Sequence, residues 1–165
     1  MARPAAHPSR DTPQVPSLLD RLMDDAPAQG TEPDWAAGYH MGRLKQSLAR
    51  DLEVLLNTRR LADWETDGYP LCTDSMLSFG IMDLTSVSVH DSRGLRGLQD
   101  HLRKTVERFE PRLGNVKISL EPGKEGSRSV RFRVDAVLRL QPGRPPISFD
   151  ATLQAGTNAC TVQQR

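Results

Sequence analysis

Four carboxylates sit where side-chain chemistry is conceivable: Glu65, Asp83, Glu107 and Glu110. Two carboxyl groups flanking a sugar bond are the machinery of glycoside hydrolysis, one donating a proton and the other attacking or activating water. The donor must hold its proton near neutrality, which requires an apolar pocket without positive neighbours. Glu110 has Arg108 and Arg112 two residues away on either side, and both favour the charged carboxylate. Asp83 precedes Leu84-Thr85-Ser86 and reads as a turn or cap residue. Other chemistries have weaker signals. GxSxG, Walker A and GxGxxG patterns are absent. Cys72 and Cys160 are far apart with no histidine near either, and His7, His40, His90 and His101 are scattered. The expectation is a protein that is not an enzyme and uses no metal or cofactor.

The remaining short stretch of interest is Glu107-Arg108-Phe109-Glu110-Pro111-Arg112-Leu113. A carboxylate in the last turn opposes the helix dipole, and Pro111 forces Glu110 out of helical geometry. Glu110 and Arg112 therefore flank a rigid residue where a helix ends and a strand begins. Such a fixed pair of opposite charges suits charge-assisted pairing with a partner. The alternative to this interface reading is an internal salt bridge that holds helix to sheet.

The elements that must position this turn are legible in outline. The chain has 165 residues, enough for one domain with one core. Its formal net charge of +1 gives no bulk drive toward nucleic acid or an acidic membrane, and 5% aromatic content is too little for base stacking. Two unpaired cysteines suit a reducing compartment, and neither a secretory leader nor a long apolar span is evident. A cytoplasmic protein is expected. Residues 1–33 contain six of the twelve prolines and read as a flexible arm. Within it, Leu18, Leu19, Leu22 and Met23 fall at helical spacing behind Ser17, a good N-cap, so a short helix is expected near 18–25. Its simplest docking place is its own domain, residues 34–165.

In that domain a first helix is expected from Trp35 to Leu56, with Leu44, Leu48, Leu52, Leu55 and Leu56 on one stripe. Arg59 to His90 reads as a packed loop with a short helix over Asp74–Phe79 ended by Gly80, too apolar to lie in water. A second helix spans Ser92–Phe109, its first turns weakened by Gly94 and Gly97. The period then changes to two, in runs around Val116–Leu120, Val130–Leu140 and Ile147–Leu153, with EPGKEG and QPGRPP between them. The fold class is α+β: two main helices on a three-stranded antiparallel meander. Arg131, Arg133 and Arg139 form a basic stripe on the wet face, and a meander's outer edge is a template for another chain's strand.

LLDRLMDD, SLARDLEVLLNTRR, FGIMDLTSVS, VERFEPRLGNVKISL, FRVDAVLRL and ISFDATL occur in this order from Leu18 to Leu153. In these stretches the chain resembles the TssE family of type VI secretion baseplate subunits, relatives of the contractile phage wedge protein once labelled a tail lysozyme. The resemblance implies a structural subunit beside TssF and TssG and near TssK, in a baseplate docked at the inner membrane. It also implies seeding of the TssB–TssC sheath through a strand-exchange surface. The family's Glu-Pro-Arg signature, implicated in assembly, falls here on Glu110, Pro111 and Arg112. With Arg131 and Arg133 these are the expected partner-binding residues, the acid and guanidinium fixing register more than affinity. The alternative is a muramidase-like hydrolase acting on peptidoglycan, which the residues themselves support poorly.

Overall fold

A computed structural model describes residues 17–23, 27, 28, 30, 41–60, 68–73, 75–83, 92–121, 129–139, 145–154, 157 and 159–165. Two long helices dominate its helical layer. Helix α1 is a five-residue piece, Leu18–Leu22, and α2 runs Met41–Asn57. A short α3 covers Pro70–Thr73, and α4 spans Ser92–Phe109. The leucine stripe of α2 is buried along its length, from Leu44 through Leu48 and Leu52 to Leu55 and Leu56. On α4 the buried residues are Leu98, Leu102, Thr105 and Val106, the i, i+4, i+7, i+8 spacing of one helical face. Gly94 and Gly97 do not delay the start of α4, whose apolar face outweighs their poor propensity.

The sheet has four strands, correcting the expected three: β1 Leu113–Glu121, β2 Ser129–Leu138, β3 Pro146–Gln154 and β4 Cys160–Gln164. They pair antiparallel in sequential order. Alternating residues of all four point into one core. Ile118, Phe132, Val134, Phe149, Leu153 and Val162 lie on the helix-covered side. A register shift between Gly114 and Lys117 marks a bulge in β1, where Asn115 takes a positive φ of 51°.

The fourth strand completes the contact with α2. Cys160 and Val162 fill the core edge, and α2 side chains close the strand's outer backbone. Asn57 donates from Nδ2 to the Cys160 carbonyl at 2.8 Å and accepts the Cys160 N–H at 2.8 Å. Glu53 accepts the Val162 N–H at 3.2 Å. Burial, with the Glu53 charge nearby, pushes the Cys160 thiol up to about 12.

The connection after α2 is pinned at one end of its course. Ile81 is fully buried and forms a parallel bridge with Arg59; its N–H donates to the Thr58 carbonyl at 2.9 Å. Met82 donates its N–H to His101 Nε2 on α4 at 3.1 Å. Gly80, at φ 105°, lies so close to the Thr58 carbonyl that no Cβ fits. The rest of this connection departs from expectation. A single 3-10 turn, Met76–Ser78, replaces the expected Asp74–Phe79 helix. Tyr69, Leu71, Met76 and Leu77 are exposed, Leu71 by 88%. Trp64 and Leu84, also expected inside, lie outside the described residues, as do residues 31–40 and hence the expected start of the first helix.

Candidate functional site: a cleft at the helix-to-strand turn

The turn after α4 is built from backbone geometry first. Glu110 N–H makes the last helical bond, to the Val106 carbonyl at 2.9 Å, and the Leu113 N–H returns to the Glu110 carbonyl at 3.1 Å. Pro111 stands between them and is exposed, its fixed φ forbidding another helical turn. The Arg139 N–H donates to the Arg112 carbonyl at 2.8 Å, tying the turn to the residue after β2.

Glu110 and Arg112 pair with each other across that proline. Arg112 donates from Nε to Glu110 Oε1 at 2.7 Å and from Nη2 to Oε2 at 2.6 Å. Its backbone N–H adds a third bond to Oε1 at 3.2 Å. Glu110 is 5% exposed, and a buried carboxylate needs this degree of satisfaction. The pair expected at an interface is thus an internal one in the free chain, with Asp51 as a third member. Arg112 Nη2 also reaches Asp51 Oδ2, on α2, at 2.6 Å. Burial opposes the Arg112 charge, but Glu110 and Asp51 outweigh it and hold its pKa above the ordinary guanidinium value.

Beside the pair opens a cleft of about 390 Å³. Asp51, Val54 and Leu55 of α2 form one wall; Phe109, Pro111 and Arg112 form another. Phe79 lies between them, packed edge-on against Phe109 with ring centroids 5.3 Å apart. Arg108 stacks on the Phe109 ring at 5.1 Å. Ser17, the cap of α1, reaches the same rim. An apolar hollow edged by fixed charges suits a side chain of a partner, oriented by its polar neighbours.

The charges continue past Asp51. Arg50 donates to Asp51 Oδ1 at 3.0 Å and, through the same Nη2, to Asp20 Oδ1 of α1 at 2.7 Å. Asp20 Oδ2 also accepts from Ser47 Oγ at 2.8 Å and Ser17 Oγ at 2.7 Å. Helix α1 therefore docks on α2 of the same chain.

Arg131 and Arg133 lie elsewhere, on the wet face of β2. The expected basic stripe is interleaved with acids there: Arg133 Nε bonds Asp150 at 2.8 Å, and Arg131 and Lys117 stand opposite Glu121 and Asp135. Cross-strand pairing neutralises that face. Three of the four carboxylates considered for hydrolysis lie among the described residues. Glu107 is exposed and bound to Arg103 at 2.8 Å. Glu110 is locked to Arg112, Asp83 is exposed, and Glu65 is outside the described residues. Among the described residues no group of His, Cys, Asp and Glu is placed to hold a metal ion.

Asp20, Arg50, Asp51, Val54 and Phe79 were not singled out from sequence. For Asp20 a signal existed, since Ser17-x-x-Asp20 has capping-box spacing and forms one. Asp51 meets Arg112 across 61 positions, and no local pattern announces that.

The described residues thus form a small α+β fold with a charge-braced apolar cleft beside a helix-backed sheet. The chain belongs to the family of the baseplate wedge protein gp25, whose model matches residues 42–143, more than half of its length. That match runs from α2 through the Glu-Pro-Arg turn and past β2. It fits the TssE resemblance and gives the chain a structural, phage-tail-like baseplate role. No curated protein and no solved structure matches the chain. Among the described residues, no helix is long and apolar enough to cross a membrane.

Proposed function

We propose that this chain is the wedge subunit of a type VI secretion baseplate, docking on TssF and TssG through the cleft beside Glu110 and Arg112. The observation that carries this reading is the family match over residues 42–143, the segment that contributes the cleft's two walls. Pro111 and Val54 are exposed on its rim. Met76 and Leu77, three and two residues before the cleft-lining Phe79, are exposed as well. In this reading Glu110 brings no free charge to the partner. It holds Arg112 in place, and Arg112, with 27% of its side chain exposed, meets the incoming group.

Sheath initiation with TssB and TssC, near TssK, uses the β1 edge in this reading. The β4 edge is occupied by Asn57 and Glu53, which leaves it few backbone groups for an added strand. On β1, Gln99 of α4 takes the Ile118 carbonyl at 2.6 Å.

Val54→Glu tests the docking surface. Val54 is 54% exposed, so the variant should melt within about 0.5 kcal/mol of the parent. Its co-purification with TssF and TssG should fall at least about tenfold, the cost of placing an unpaired charge in an apolar contact. Undiminished co-purification by a folded Val54→Glu chain would place docking elsewhere.

A further inference from the structure

Helix α1 is held in an unusual way. Five residues are too few for a helix to persist alone, and its apolar side chains do not anchor it. Leu18 and Leu22 are 71% and 74% exposed, and Leu19 and Met23 are exposed as well. Its anchoring polar contacts run through Asp20, to Ser47 and Arg50, with Met23 Sδ accepting from Arg50 Nη1 at 3.1 Å. Docking of α1 thus depends on where Arg50 directs its charge.

Arg50 is shared. Its Nη2 serves Asp20 at 2.7 Å and Asp51 at 3.0 Å. Asp51 is in turn shared with Arg112 at 2.6 Å, and Arg112 with Glu110 at 2.6 Å. Five charges of alternating sign therefore run unbroken from the arm, across α2, to the Glu-Pro-Arg turn. We propose that α1 is a charge-latched strap whose docking is set by the state of the Glu110–Arg112 turn. A group that draws Arg112 away from Asp51 leaves that carboxylate uncompensated. Asp51 then competes harder for Arg50 and also repels Asp20, so α1 loosens. Neutralising Asp51 does the reverse, freeing Arg50 for Asp20. Neutralising Glu110 gives Arg112 wholly to Asp51 and also tightens α1. Direct Coulomb forces along the chain have the same signs.

The linkage is a property of the free chain. Its use in assembly rests on the reading that a partner occupies the cleft: a partner carboxylate on Arg112 would release α1 with its exposed leucines, and by reciprocity a captured α1 would change affinity at the cleft.

The test measures α1 docking in the full chain without any partner, from the Met23 methyl NMR shift and amide protection over Ser17–Met23. Asp20→Asn provides the undocked reference. Arg112→Gln should lower the docking constant, while Asp51→Asn and Glu110→Gln should raise it, each by roughly two- to five-fold at low salt. High salt should shrink all three effects. Loosening in every variant, or no change in any, would overturn the proposal, because a purely structural brace predicts a single sign. If Arg112→Gln or Glu110→Gln fails to fold, Asp51→Asn decides: tighter docking supports the latch, looser or unchanged docking rejects it. The Val54→Glu co-purification result bears on the docking reading alone, so either idea can fail without the other.

Discussion

Arg112 grips both carboxylate oxygens of Glu110, at 2.7 and 2.6 Å, across the single residue Pro111. The consequence is asymmetric. Removing Arg112 leaves a buried carboxylate without its counter-charge, whereas removing Glu110 leaves a guanidinium that still holds Asp51 and reaches water. Breaking a buried pair costs about 3–5 kcal/mol, and the partial exposure of Arg112 reduces that through solvent screening. Arg112→Ala should therefore destabilise by about 2–3 kcal/mol and Glu110→Ala by about 1–2 kcal/mol. The double variant should cost less than their sum, because the second change removes a charge the first had orphaned. Urea titrations of the three variants measure this directly. Additive, near-zero costs would mean that the pair does not brace the turn.

Gly80 makes an equally specific demand. Its φ of 105° and its contact with the Thr58 carbonyl leave no room for a side chain, so Gly80→Ala must move one of two backbones. A cost of about 2–3 kcal/mol is expected. The disturbance should appear first at the Arg59–Ile81 bridge and at the Met82 N–H bond to His101. Amide exchange at Ile81 and Met82, compared with Leu102 in the core, separates local loosening from global unfolding.

These cases mark how far local sequence signals reach. The two long helices and β1 to β3 follow from repeating patterns: leucines at 44, 48 and 52, and the strict alternation from Val130 to Leu138. Strand β4 offers only Cys160 and Val162 as apolar residues. Its outer edge is closed by Asn57, 103 positions away, so periodicity cannot reveal it. The Glu-Pro-Arg turn was recognisable as a fixed charge pair. Whether it faces in or out depended on Asp51, which only the packing of α2 against the turn supplies. Apolar content also misled for Leu71 and Met76, since hydrophobicity is a property of a residue and burial is a property of its surroundings.

The closure of β4 by α2 is testable through its chemistry. Asn57 satisfies both backbone groups of Cys160 at 2.8 Å. Asn57→Ala should destabilise by about 1–2 kcal/mol and accelerate exchange at the Cys160 amide. Val162, still held by Glu53, should change less. The Cys160 thiol, buried and pushed up to about 12, should resist alkylation at pH 8 in the parent while the less buried Cys72 reacts. In Asn57→Ala, Cys160 alkylation should quicken; an unchanged rate would show that the strand edge does not need this cap.

The arm helix should be sensitive to acid in a defined direction. Burial opposes the Asp20 charge, but hydrogen bonds from Ser17, Arg50 and Ser47 outweigh it and hold its pKa below the ordinary 3.8. The undocked arm has the ordinary value and binds the proton more readily. Docking is therefore fully favoured above about pH 4 and weakens as pH falls below it toward the depressed docked value. Acid can also loosen the fold as a whole, so the α1 amides must be followed against Leu102 and Val134 of the core. Loss of α1 signals ahead of core signals is the expected result. Asp20→Asn, already undocked, should show no such early transition. If α1 and the core were lost together in the parent, Asp20 would be part of the global fold and not a separate latch.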